Sequence, residues 1–152
     1  MKTILFQGDS ITDAERSRVN DGNLGKGYPT LVTGILNFEY PGKYVLYNRG
    51  VSGNRVVDLY ARIKSDIINL KPDIVSILVG VNDVWHELDR ANGVDAEKYY
   101  NIYCMLIEEI KEVLPNIQIF ILEPFVLKGS ATEERWDEFW IEVRKRAEKA
   151  KA

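Results

Sequence analysis

The stretch LFQGDSITDAERSR, residues 5–18, begins apolar and becomes polar within a few residues. Its apolar run breaks at Gly8, and an acid and a hydroxyl, Asp9 and Ser10, follow at once. Apolar runs that do not alternate with polar residues are typical of strands buried on both faces of a parallel sheet. The stretch therefore predicts a buried strand whose carboxyl end carries polar side chains.

Three further apolar runs have the same character, so the predicted strands are Thr3–Phe6, Tyr44–Tyr47, Ile74–Val79 and Ile117–Leu122. Segments with helical spacing separate or follow them, at Tyr28–Phe38, Val56–Leu70, Asp95–Leu114 and Glu133–Ala150. Asp95 is the predicted N-cap of the third helix, and Pro115 follows its end. Strict alternation of strand and helix predicts a parallel sheet with helices on both faces. We expect one α/β domain over residues 1–152.

Composition excludes several classes of protein. The net charge of −3 mixes both signs along the chain, which disfavours a nucleic-acid partner. The apolar runs are too short to span a bilayer, and MKTILF at the start has no signal-peptide pattern. A single cysteine, Cys104, excludes an internal disulfide. We therefore expect a cytoplasmic protein with neither a membrane nor a nucleic acid as partner.

Ligands of open α/β sheets bind beyond the carboxyl ends of the strands, so the residues that follow each strand are the candidate site. Ser10 follows the first strand, Gly53 the second and Asn82 the third. A hydroxyl nucleophile, a glycine turn with free N–H groups and an amide side chain are the components of an acyl-transfer site. Each also has a plain alternative: Ser10 as a helix N-cap, Gly53 in an ordinary turn, and Asn82 at the start of a short helix.

Three segments resemble the first three sequence blocks of the SGNH (GDSL-type) hydrolases: GDSITD, NRGVSGNRVVDL and VSILVGVNDVW. The resemblance implies that Ser10 is the nucleophile. It also implies that the N–H groups of Ser10 and Gly53, with the side chain of Asn82, form the oxyanion hole. The implied fold is a flavodoxin-like, three-layer αβα sandwich. Within the family, GDSITDAER, LGKGY, SGN and NDVW are most similar to acetylxylan-esterase-type carbohydrate acetylesterases. The implied substrate is a small-molecule or oligosaccharide acyl ester, with no cofactor.

The resemblance lacks one element, the catalytic base. In the family this base is the histidine of an Asp-x-x-His block that follows a fifth strand. Here His86 is the only histidine, and no such block is present. The expectation is a domain truncated before the fifth strand and nearly inert by itself, because a serine hydroxyl needs a base. The alternatives are a non-catalytic α/β carbohydrate-binding module and, disfavoured by the lack of a phosphate loop, a nucleotide binder.

Four more residues are assigned to substrate binding: Asp9, Arg55, Trp85 and His86. His86 has three open roles: substitute base, pocket wall or solvated surface. Arg55 either contacts substrate or pairs with Asp58, and Trp85 either stacks on a sugar or belongs to the core. Asp9, with Asp13 and Asp83, has no histidine or cysteine at ligand spacing, so we expect loop-ordering and capping roles and no metal.

The last predicted strand, Ile117–Leu122, has no strand beyond it. In the sheet order 2-1-3-4-5 it becomes an exposed apolar edge, which commonly pairs with another chain. We therefore expect a homo-oligomer that associates through this edge or through the C-terminal helix.

Overall fold

Four parallel strands form one sheet in a computed structural model that describes residues 1–152. They are β1 (Lys2–Gly8), β2 (Tyr44–Asn48), β3 (Ile74–Leu78) and β4 (Gln118–Leu122), in the order β2-β1-β3-β4. In the register, Ile4 of β1 lies opposite Leu46 of β2 and Ile74 of β3. The predicted strands and their order are confirmed.

Seven α-helices accompany the sheet: α1 (Ser10–Asp13), α2 (Tyr28–Glu39), α3 (Val56–Ala61), α4 (Ile63–Asp66), α5 (Val81–Arg90), α6 (Ala96–Val113) and α7 (Trp136–Lys151). Short 3-10 turns occupy Ile68–Leu70 and Glu133–Arg135. As predicted, Asp95 caps α6, because its side chain accepts a hydrogen bond from the Lys98 N–H. None of these helices combines the length and the hydropathy that a membrane span requires.

Two hydrophobic clusters lie on opposite faces of the sheet, which gives the predicted three-layer αβα arrangement. Alternate residues of a strand point to opposite faces, so Leu5 and Ile4 enter different clusters. The larger cluster packs Leu5 and Val75 against α3 and α6. The smaller one packs Ile4 and Phe6 against α2. A third cluster joins α5 to α7 through Val84 and Phe139.

The prediction of one continuous helix over Val56–Leu70 is wrong. The chain leaves helical geometry at Arg62 (φ −112°, ψ 19°) and again at Ile67 (φ −123°, ψ −64°). Apolar spacing alone does not reveal these breaks, because Leu59, Ile63 and Ile67 all still reach the core. Arg62 ends α3 and precedes α4, and its guanidinium hydrogen bonds to the loops at the strand ends.

The far edge of the sheet is open. β4 has a neighbour on one side only, and Phe120 and Ile121 are 58% and 40% exposed. A second group of exposed apolar side chains lies on the outer side of α2, at Leu31, Ile35 and Phe38. The predicted exposed apolar edge is therefore confirmed. Association through it stays a prediction.

Candidate active site

The three candidate catalytic residues meet at one edge of the sheet. Ser10 begins α1 directly after β1, Gly53 lies in the turn that follows β2, and Asn82 lies in the first turn of α5 after β3. Because the strands are parallel, their carboxyl ends share this edge. All three residues line a single cleft of about 640 Å³. The cleft can therefore present a hydroxyl and several N–H donors to one ligand.

Ser10 is exposed, and its neighbour Asp9 is buried. Asp9 is the N-cap of α1, and its carboxylate accepts a hydrogen bond from the Ile11 N–H at 3.0 Å. The alternative in which Ser10 is the N-cap is therefore wrong. Burial raises the pKa of Asp9 to about 6, although the Ile11 hydrogen bond opposes this shift. Asp9 does not line the cleft; it shapes the turn that presents Ser10.

The turn that follows β2 gives Gly53 a backbone conformation in the left-handed region. Asn54 N–H donates to the carbonyl of Val51 at 3.1 Å, and Gly53 has φ +83°. A positive φ at the third position of a β-turn favours glycine, because other residues carry a Cβ that crowds the backbone. The N–H of Gly53 has no hydrogen-bond partner within the protein. It is therefore free to donate to a ligand in the cleft.

Asn82 is held by the same turn. Its Nδ2 donates to the carbonyl of Asn54 at 3.1 Å. An amide group has two N–H donors, so one remains for a ligand once this bond has fixed the plane of the amide. The position of the Asn82 donor is thus coupled to that of the Gly53 turn.

Two buried aspartates hold the Gly53 turn and the start of α3. Asp13 accepts from the N–H and the Oγ of Ser52, at 2.9 and 3.0 Å, and from Arg18 at 2.6 Å. Asp83 accepts from the N–H of Val56 at 3.2 and 3.3 Å, and burial raises its pKa to about 7 against that hydrogen bond. The predicted loop-ordering role of these acids is confirmed. No group of histidine, cysteine and acidic side chains is arranged to hold a metal ion.

Arg55 does not line the cleft. Its Nε lies 2.9 Å from Asp58, and its Nη1 donates to the carbonyl of Asn92 at 2.8 Å. Burial acts to raise the pKa of Asp58, but the hydrogen bonds from Arg55 outweigh it and hold that pKa below its ordinary value. Of the two roles left open for Arg55, the structure contains the pair with Asp58.

Trp85 and His86 both line the cleft. One ring contact of Trp85 is with Phe139, at 4.8 Å between centroids, so this residue belongs to the core and to the cleft wall at once. Burial and the positive charges of Arg90 and Arg55 lower the pKa of His86. The imidazole forms no hydrogen bond with a carboxylate; Asp58, whose charge acts on it, is hydrogen-bonded to Arg55 instead. A pocket-wall position thus agrees with the structure, and a base role lacks an orienting acid.

Sequence reasoning missed one wall of the cleft, which residues 125–132 form after β4. The buried Thr132 shapes this loop: its Oγ donates to the carbonyl of Leu127 at 2.9 Å and accepts from the N–H of Gly129 at 3.0 Å. Only the Gly-Ser pair at 129–130 signals a loop there. Its position beside Ser10 depends on the packing of α7 and has no signature in the sequence.

The model of the GDSL-like lipase/acylhydrolase family matches residues 6–151. The chain belongs to this family. The matched residues include all three sequence blocks that carry the resemblance. The sequence-based resemblance is therefore confirmed, as is the similarity to acetylxylan esterases.

An acetylxylan esterase from Geobacillus stearothermophilus is 39% identical over 84% of this chain and 61% of the relative. The chain thus spans 61% of the length of this curated relative. Among solved structures, a GDSL-like lipase from Parabacteroides merdae is 37% identical, with a TM-score of 0.80 over 99% of this chain and 75% of the other. An acetylxylan esterase structure from G. stearothermophilus is 35% identical, with a TM-score of 0.78 over 99% and 74%. Catalytic mutants of that esterase replace a serine, an aspartate or a histidine by alanine.

Proposed function

We infer that this chain carries the nucleophile and the oxyanion hole of a serine esterase that removes acetyl groups from carbohydrate. The observation that carries the proposal is the meeting of Ser10, the free Gly53 N–H and the Asn82 amide in one cleft. The similarity to acetylxylan esterases supports an acetylated oligosaccharide as the substrate class. Self-association remains part of the proposal, supported by the open β4 edge.

The proposed reaction proceeds through an acyl-enzyme. The Oγ of Ser10 attacks the ester carbonyl carbon while a base removes its proton, and the carbonyl oxygen becomes an oxyanion. The N–H groups of Ser10 and Gly53 and the Asn82 amide donate to this oxygen, where a single donor is commonly worth about 100–1000-fold in rate. Collapse of this intermediate breaks the ester bond to the sugar, whose hydroxyl oxygen receives the proton from the base, and leaves acetyl-Ser10. Water then loses a proton to the base and attacks the acetyl carbon, and collapse of the second oxyanion releases acetate while Ser10 Oγ recovers the proton.

The base determines the expected rate of this chain. His86 is the only histidine, and no carboxylate orients it by a hydrogen bond. Binding and an oxyanion hole without the base typically retain about 1000–10,000-fold acceleration over water. Against an intact site, turnover falls by a factor of the order of a million. We therefore expect only slow turnover from this chain without an added base.

Chemical rescue tests the proposal. Free imidazole should enter the open cleft and act as the missing base, so it should raise turnover of an acetyl ester by the wild-type chain. Ser10→Ala, which keeps the backbone donor but lacks the nucleophile, should remove this gain. Background hydrolysis by imidazole is subtracted by means of the Ser10→Ala protein. A rescued rate that is equal in both proteins would overturn the proposal.

Two further outcomes separate the alternatives. Strong turnover without imidazole that is lost in His86→Ala would assign the base role to His86. The lack of an orienting acid beside His86 favours, as a second candidate, a carbohydrate-binding module that has no catalytic function. This candidate predicts that acetylated xylooligosaccharide binds equally to the wild-type chain and to Ser10→Ala, with no rescue in either.

A further inference from the structure

Arg62 lies at the break between α3 and α4 and has an unusual set of partners. Its side chain is only 18% exposed. The guanidinium donates from Nε to the side-chain oxygen of Asn54 at 2.7 Å and from Nη1 to the carbonyl of Arg49 at 2.8 Å. Nη2 donates to the carbonyl of Gly8 at 3.2 Å, and an ion pair with Asp66 completes the set. Four of its five N–H donors are thus used.

Three of these acceptors, all except Asp66, belong to the two loops that must meet for catalysis. Gly8 ends β1 and is two residues before Ser10, whereas Asn54 directly follows Gly53. The Gly8 carbonyl also accepts from the N–H of Val51 at 3.0 Å, so the two loops are joined by backbone as well. A planar guanidinium imposes fixed directions on all of its hydrogen bonds. It therefore sets the distance between the serine loop and the glycine turn.

The arrangement extends to the third donor. The side chain of Asn54 is held by Arg62, and the carbonyl of the same residue accepts from Nδ2 of Asn82. Movement of Asn54 would thus displace both the Gly53 N–H and the Asn82 amide. On its other side the turn is held through Ser52 by Asp13. Arg62 is the only cation that hydrogen bonds both to Asn54 and to the carbonyl end of β1.

We propose that Arg62 is a positioning residue that holds the Gly53 and Asn82 donors in register with Ser10. The proposal rests on the esterase function inferred above. Arg62 does not line the cleft, so it acts through Asn54 and the carbonyl of Gly8. Its removal should weaken binding of the oxyanion, which exists only in the transition state, and leave ground-state binding of the ester unchanged.

The test is a comparison of kcat and KM in the imidazole-rescued reaction of the whole chain. Arg62→Gln should lower the Ser10-dependent kcat by about 10–100-fold, because displacement of catalytic groups by an ångström has effects of this size. KM should stay within about twofold, since uniform substrate binding is unaffected. Arg62→Lys should recover only part of kcat, because the three N–H donors of an ammonium share one nitrogen and cannot span the acceptors that the guanidinium reaches from three.

The matched control is Arg144→Gln. Arg144 lies in α7, where its guanidinium pairs with Glu148 at 3.6 Å and lies against the ring of Trp140. This change should leave kcat and KM as in the wild-type chain. Asn54→Ala is the second variant. It removes the side-chain contact with Arg62 but retains the Asn54 carbonyl that holds Asn82, and it leaves the ion pair between Arg62 and Asp66 in place. It should lower kcat in the same direction, and its effect should not add to that of Arg62→Gln.

The outcomes are distinct. If Arg62→Gln does not fold, as judged by its melting transition, Asn54→Ala decides the matter. Unchanged kcat in the folded variants, additive effects, or a rise in KM at constant kcat would overturn the proposal while leaving the esterase function in place. If imidazole gives no Ser10-dependent turnover in the wild-type chain, the esterase function fails first, and the positioning role fails with it.

Discussion

Two regions of the molecule differ sharply in how fully their side chains find partners: the carboxyl ends of β1 to β3, and the β4 edge with the outer side of α2. At the carboxyl ends of β1 to β3, buried aspartates, arginines and carbonyls bind one another, and few polar groups lack a partner. At β4 and the outer side of α2, large apolar side chains such as Phe120 and Phe38 face solvent. The comparison teaches that the site is organised within this chain, whereas the β4 edge and the outer side of α2 offer apolar area that the chain itself does not cover.

The largest effect is expected from a change among the polar groups at the carboxyl ends of the strands. Asn82→Ala should lower the imidazole-rescued, Ser10-dependent turnover by about 100–1000-fold, because it removes one oxyanion donor. KM should change little. Steady-state kinetics on an acetyl ester measures both values. The control, Asn69→Ala, changes an exposed residue in the 3-10 turn and should behave as the wild-type chain. Equal rates for Asn82→Ala and the wild type would remove Asn82 from the site.

Glycine-to-alanine changes in the two regions should change the free energy of unfolding in opposite directions. A Cβ at Gly50, in the loop after β2, would lie 2.4 Å from the Asp13 N, so this loop must move, at a cost of about 1–3 kcal/mol in the free energy of unfolding. A Cβ at Gly34 in α2 meets nothing within 4 Å, and alanine should stabilise the helix by about 0.5–1 kcal/mol.

Denaturant unfolding of both alanine variants measures this difference. If Gly50→Ala is as stable as the wild-type chain, the loop after β2 is less rigid than its contacts imply. A destabilised Gly34→Ala would indicate that the exposed side of α2 is covered in solution.

A smaller effect concerns pH. Burial raises the pKa of Asp83 to about 7, from an ordinary value of 3.8. Between about pH 4 and 7 the folded chain therefore keeps a proton that the unfolded chain releases. The contribution of Asp83 to the free energy of unfolding falls as pH rises, by at most about 1.4 kcal/mol per pH unit. Asp83→Asn lacks this term and should gain stability relative to the wild type as pH rises through this window.

Unfolding curves of the wild-type chain and Asp83→Asn, recorded at several pH values from 4 to 7, test the sign. Parallel pH profiles would contradict a protonated Asp83 in the folded state.

The least change in the free energy of unfolding is expected at the exposed β4 edge. Phe120→Lys places a charge on the exposed edge strand and should alter the free energy of unfolding by no more than about 0.5 kcal/mol. It should reduce concentration-dependent association in analytical ultracentrifugation, because an edge lysine disfavours strand pairing. Val19→Lys, at a position that is 97% exposed, is the control. A wild-type chain that is monomeric at every concentration would show the predicted association to be wrong.

Local patterns in the sequence were sufficient for the four strands, their order and the Asp95 cap, since strand burial and capping leave direct marks in residue type and spacing. The meeting of Ser10, Gly53 and Asn82 could also be predicted, because parallel strands bring their carboxyl ends to one edge. Arg55 was the harder case. A charged residue beside a glycine turn has the same local pattern whether it contacts substrate or pairs with Asp58, and the structure contains the pair.

The sequence by itself thus determined the sheet, the nucleophile candidate and the two loops that can donate hydrogen bonds to an oxyanion. Only the tertiary structure decided how those loops are held. Arg62 hydrogen bonds to the carbonyls of Gly8, 54 residues away, and of Arg49, 13 residues away. Every residue type has such a carbonyl, so no pattern of side chains identifies these acceptors. The reason is physical: backbone acceptors become specific only when the folded chain brings them within hydrogen-bond distance of one guanidinium.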